Sequence, residues 1–131
     1  MLRKRSKILI AIALFLILIG IAVPVTLSKM TKDLESLATA SIKAVDLTRI
    51  PDGVHQGAFA SGPVSAKVDV TVKDHRIMKI NLTEHKNGQG KPGEAVIDRV
   101  VSSQTLQVDT VAGATYSSKA ILKAIEDALQ P

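Results

Sequence analysis

The chain contains no cysteine and no tryptophan, and its only aromatic residues are Phe15, Phe59 and Tyr116. Without cysteine there can be no disulfide, no thiolate metal site, no thiol nucleophile and no thioether-linked cofactor. Three aromatics in 131 residues leave no stacking platform for single-stranded nucleic acid. A basic face is missing as well. Of the 17 Lys and Arg, Arg3, Lys4, Arg5 and Lys7 fall in the first seven residues, whereas all 12 Asp and Glu come later. The formal charge of +5 therefore reports a basic tip. A nucleic-acid footprint needs basic residues clustered on a domain face, so no nucleic-acid partner is expected. His55, His75 and His85 are not at metal-ligand spacing, and no metal site is expected either.

What the sequence does have is a long apolar run. Ile8 to Val25 contains no charged or strongly polar residue, and Ile8–Leu27 matches the roughly 20 residues that cross a bilayer as a helix. Gly20 and Pro24 are tolerated in such helices. The four basic residues precede the run, while Lys29 and Lys32 beyond it are balanced by Asp33 and Glu35. The positive-inside rule then puts the N-terminus in the cytoplasm and the rest of the chain outside. A cleaved signal peptide would share the basic start. This run is longer than the usual signal core, and Ala22–Ser28 offers no clear small-x-small cleavage site, so an uncleaved single-pass anchor is the expectation.

The remainder reads as one small α+β domain. Thr31–Ala44 predicts a spacer helix, with Leu34, Leu37, Ala38 and Ile42 near helical spacing. Pro51-Asp52-Gly53 is a turn signal. Val54–Ala60, Val64–Val72 and Ile77–Thr83 read as the strands of an antiparallel meander, the second with strict valine/alanine alternation. Ser61-Gly62-Pro63 and Lys73–Arg76 are the turns between them. After a glycine-rich loop, Glu84–Gly93, two helices are expected at Glu94–Ser103 and Ser117–Leu129, with a short strand at Leu106–Val108 between them. The expected division is a basic tip and transmembrane helix at 1–28, a spacer at 29–49 and a domain at 50–131.

Chemistry concentrates in Val108–Ser118. The segment holds Asp109, the small triplet Ala112-Gly113-Ala114, and the hydroxyls of Thr115, Ser117 and Ser118. Gly113 permits positive φ and close backbone approach. Thr115 sits where the last helix begins, and a helix N-terminus with its free N–H groups favours an anion such as a phosphate. The plainer alternative is helix capping by Thr115, Ser117 or Ser118, with Asp109 bonding to neighbouring backbone.

Asp109-Thr-Val-Ala-Gly-Ala-Thr115 resembles the flavinylation motif Asp-x-x-(Ser/Thr)-Gly-Ala-Thr of FMN-binding domain proteins. These include flavin-carrying components of the sodium-translocating NADH:quinone reductase and of the Rnf electron-transfer complex, and small membrane-anchored bacterial proteins. The resemblance extends through Asp52–Gly57, Gly62–Val64, Val68–Val72, Lys73-Asp74 and Glu84–Lys86, covering about residues 50–130. It implies a bacterial cytoplasmic-membrane protein that carries FMN as a phosphoester on Thr115. A Mg²⁺-dependent flavin transferase would install it from FAD with release of AMP, the domain being acceptor and not catalyst. Asp109, Ala112, Gly113, Ala114, Tyr116, Ser117 and Ser118 would surround the cofactor. His85, in the family-like Glu-His-Lys segment, would line the flavin edge. Gly88, Gly90 and Gly93 would either cradle the ring or form a plain turn. The chain departs from the motif at Ala112, where the family usually has Ser or Thr.

Three functional classes follow. The first is an extracytoplasmic, membrane-anchored electron carrier that exchanges electrons with a membrane redox complex or another donor and acceptor. The second is a small flavin-dependent reductase. The third is a non-redox binding module that holds FMN non-covalently or has lost it.

Overall fold

The computed structural model describes residues 2–86 and 90–130. The chain divides into two compact units, Met1–Lys32 and Asp33–Pro131. The first lies within helix α1, which runs unbroken from Leu2 to Thr39 with Pro24 inside it. Its best 18-residue window has a mean hydropathy of 3.2, and it is the one helix among the described residues long and apolar enough to cross a membrane. Within the apolar run the large side chains, such as Leu9, Phe15 and Leu18, are exposed on all sides of the helix. Amphipathic periodicity, which would bury one stripe, is missing.

The sequence predicts two helices in series, a membrane segment and a separate spacer over Thr31–Ala44. The structure has one, and it stops at Thr39. The polar residues around Leu27 are carried within it, the hydroxyls of Thr26 and Thr31 donating to the carbonyls of Ala22 and Leu27 one turn back. It ends early because the following segment is held on the domain by three side chains. Lys119 Nζ donates to the Ala40 carbonyl at 2.7 Å, Gln107 Nε2 donates to Ile42 O at 2.6 Å, and the Lys43 N–H donates to Glu126 Oε2 at 3.0 Å. A cation on a helix's last carbonyls also offsets the negative end of its dipole. Leu37 and Ile50 are buried in the domain core, with Leu34, Ile42, Val45 and Leu47 packed against it.

The domain is α+β, as its pattern predicts. Strands β1 (Gly53–Ser61), β2 (Val64–Lys73) and β3 (Arg76–Lys86) form an antiparallel sheet in that order. The β2–β3 reversal needs two left-handed residues, Asp74 at φ 51° and His75 at φ 61°. Val64, Ala66, Val68, Val70 and Val72 all face the core from β2. On the opposite face Lys67 pairs with Glu84 at 3.3 Å, so that face is solvated. Helix α3 (Thr115–Leu129) covers the inner face, burying Ile121, Leu122, Ile125 and Leu129. Its alanines let the helix come very close to the sheet. A Cβ built on Gly57 of β1 would stand 2.0 Å from Ala124 O and 2.5 Å from Ala128 N.

The predicted Glu94–Ser103 helix is a 3-10 turn, Lys91–Ala95, leading into helix α2 (Val96–Ser103). The short strand expected at Leu106–Val108 does not form. Leu106 is buried in the core as predicted for an apolar position, but the backbone around it is irregular. The place of a fourth strand is taken by one side chain. Gln104, left-handed at φ 57°, accepts from Ile77 N at 2.7 Å and donates to Ile77 O at 2.9 Å. Its amide satisfies the β3 edge at Ile77 as a neighbouring strand would.

Candidate functional site

The loop from α2 to α3 is irregular and is held by bonds to its backbone. The Arg99 guanidinium donates to the carbonyls of Asp109 at 2.7 Å and Thr110 at 3.3 Å. Ser118 Oγ accepts from Val111 N at 3.0 Å and donates to Ala114 O at 2.7 Å. Ser118 is fully buried, so this hydroxyl is committed to closing the loop over the start of α3. The chain turns at Gly113, with φ +79°, and Ala114 is the N-cap of α3 with no side-chain cap bond. Neither Thr115, Ser117 nor Ser118 caps the helix. The first-turn N–H groups lack intrahelical acceptors by helix geometry.

Thr115 opens α3 and faces a cavity of about 460 Å³, lined by Ala38, Val64, Gly90, Gly113, Ala114, Thr115, Tyr116 and Ser117. This volume lies in the range of small-molecule sites. No ionisable acid or base other than the Tyr116 phenol lies among these lining residues. A Cβ on Gly113 would meet nothing within 4 Å, so the space over its backbone is open. Gly93 shows the opposite. A Cβ there would stand 2.9 Å from Ser117 Cβ and 3.0 Å from Ser118 N, so glycine is what seats the 3-10 turn against α3.

Of the predicted site residues, the structure gathers Gly113, Ala114, Thr115, Tyr116 and Ser117 at this cavity, with Gly90 across it. Asp109 and Ala112 line a different, shallow concavity together with Arg99, Ser103, Gln107 and Thr110. His85 is not among the cavity residues; its ring is 4% exposed and its Nδ1 lies 2.9 Å from Glu94 Oε1, joining the end of β3 to the 3-10 turn. Phe59 packs on the core, leaving Tyr116, 43% exposed, as the cavity's aromatic residue. Lys91 is exposed, and Gly88 lies outside the described residues. His55 and His75 stand apart, His55 Nε2 lying 2.8 Å from Pro51 O, and the described residues hold no metal-ligand cluster.

Sequence reasoning missed three residues that shape the site: Ala38, Arg99 and Lys119. Arg99 and Lys119 act through backbone carbonyls far away in the sequence, which no motif reveals. Ala38 belongs to a stripe that is legible as helical, but its place beside Gly113 is a tertiary fact.

An open cavity of small residues at a helix start, with a hydroxyl at its edge, suits a ligand with a phosphate end and a flat apolar body. The residues present fit FMN on those grounds: room over Gly113, a polar end at Thr115 and Ser117, and apolar walls from Val64, Ala38 and Tyr116. The FMN-binding domain family matches residues 60–130, more than half the chain, and the chain belongs to that family. FMN is the cofactor that this membership gives it. Searches of curated proteins and of solved structures return no match.

Proposed function

We infer that the chain is a membrane-anchored electron carrier holding FMN as a phosphoester on Thr115. The observation that carries this is the position of Thr115: first residue of α3, last residue of the Asp109–Thr115 motif, and on the rim of an open cavity. In the loading step the Thr115 hydroxyl oxygen forms a bond to the flavin-side phosphorus of FAD. The pyrophosphate bond to AMP breaks, AMP leaves, and the hydroxyl proton is released. A Mg²⁺-dependent flavin transferase is the catalyst for that step. Bound FMN supplies one- and two-electron transfer, while the protein positions it and excludes competitors.

The departure from the motif at Ala112 does not reach the cavity. Its side chain is exposed on the Arg99 side of the loop and is not among the cavity residues. A hydroxyl missing there is missing from the outer surface and not from the cavity. Among the described lining residues Tyr116 is the one acid or base group, which favours a carrier over a reductase with its own substrate chemistry. The apolar run of α1 and the basic residues before it support an anchor with the domain outside the cytoplasm. A membrane redox complex is then the natural electron partner.

The test is intact mass of the full chain co-expressed with a flavin transferase. The expected result is a gain of one FMN less water, abolished in Thr115→Ala. An unmodified chain, beside a control substrate domain that is modified, would refute covalent attachment.

A further inference from the structure

Ala38 lines the cavity that holds Gly113 and Thr115, yet it lies on α1, outside residues 60–130 that carry the family match. The family-matched segment therefore does not enclose the cavity by itself. We propose that the last turns of α1 form a wall of the flavin site, and that the small side chain of Ala38 sets the room the flavin has. The inference rests on FMN occupying this cavity.

The wall is fixed in place. Leu37, beside Ala38, is 2% exposed and belongs to the domain core. At the start of this segment Ser61 Oγ donates to Asp33 O at 3.1 Å, and just past its end Lys119 Nζ donates to Ala40 O at 2.7 Å. Lys119 lies one turn along α3 from Thr115, so the element that presents the acceptor hydroxyl also holds the opposing wall. Residues four apart on a helix are neighbours on one face. Val64, at the start of β2, is buried and completes the apolar side. Two apolar residues and the Tyr116 ring give a flat group something to pack on. A larger residue at position 38 would fill that space from a fixed backbone that cannot yield.

The experiment uses the full chain in detergent, loaded by the transferase, as wild type, Ala38→Leu, Ala38→Ser and Lys119→Met. Leucine is a strong helix former, so Ala38→Leu keeps α1, and calorimetry checks that each variant folds. Intact mass reports attachment, and quenching of flavin fluorescence by iodide reports how exposed the ring is. Ala38→Leu is expected to keep the mass gain and raise the quenching constant several-fold, with Ala38→Ser like wild type. Lys119→Met, which frees the helix end without filling the cavity, is expected to fall between them. Folded, loaded Ala38→Leu with wild-type quenching would overturn the proposal and leave the Thr115 attachment standing. If the wild type gains no mass, covalent attachment fails, and the same variants are titrated with free FMN. Weakening of about tenfold or more in Ala38→Leu then supports the wall. Equal affinity, or no FMN binding in any chain, overturns it.

Discussion

Replacing Gly57 with alanine tests the seating of α3 on the sheet. The added Cβ would meet Ala124 O at 2.0 Å, Ala128 N at 2.5 Å and Ala128 Cβ at 2.7 Å. Two of these are backbone atoms, which cannot rotate aside, so α3 must retreat from β1. That retreat loosens Ile121, Ile125 and Leu129, all buried in the core. Overpacking costs about 1–3 kcal/mol, and a backbone clash belongs at the upper end. About 3 kcal/mol is a large share of the roughly 5–15 kcal/mol available to a domain of this size. At about 4–8 °C per kcal/mol the midpoint falls by roughly 12–24 °C. Calorimetry of the full chain in detergent measures it, with Gly113→Ala as the comparison. Gly113 has open space around it, so alanine there faces only the positive φ, at about 1–2 kcal/mol. A drop for Gly57→Ala no larger than for Gly113→Ala would refute the close seating of α3.

Gln104→Ala removes the bonds to Ile77 N, Ile77 O and Val101 O; a loss of about 2–3 kcal/mol is expected, with faster hydrogen exchange at the Ile77 amide. Glu126→Ala leaves Lys123 and the Lys43 N–H without the carboxylate they share; denaturant unfolding is expected to show a loss of about 1–3 kcal/mol. Arg99→Ala frees the carbonyls of Asp109 and Thr110 while touching no core residue. Transfer of flavin to Thr115 is expected to slow several-fold in a timed loading assay, with stability changed by less than about 1 kcal/mol. Gly113→Ala is expected to slow loading by placing a methyl group in the space over the loop, read in the same assay.

The elements that announce themselves by periodicity are the ones legible in the sequence. β2 alternates strictly because one face is buried and one wet. α3 shows its Ile121, Leu122, Ile125 and Leu129 stripe, and the turns at Gly62 and at Asp74-His75 carry residues suited to unusual backbone. The end of the motif, Gly113-Ala114-Thr115, marks the cavity rim because a glycine and a small residue there are local requirements. What was not legible depends on long-range partners. α1 reads as two elements by composition and is one helix because nothing in residues 28–32 breaks it. Leu106–Val108 has strand-like residues, but Gln104 already occupies the β3 edge at Ile77. Asp109 and Thr115 are neighbours in one motif yet face different concavities, since the chain turns at Gly113 between them.

The chain has one tyrosine and no tryptophan, and that tyrosine borders the cavity. Excited at the long-wavelength edge of tyrosine absorption, where Phe15 and Phe59 do not absorb, the protein therefore emits from a single ring at a single place. A flavin absorbs at longer wavelength and would accept that excitation, so loading should darken the protein's own fluorescence as the yellow chromophore arrives. The poverty in aromatics that closed off other functions makes the molecule its own gauge of occupancy, without any label.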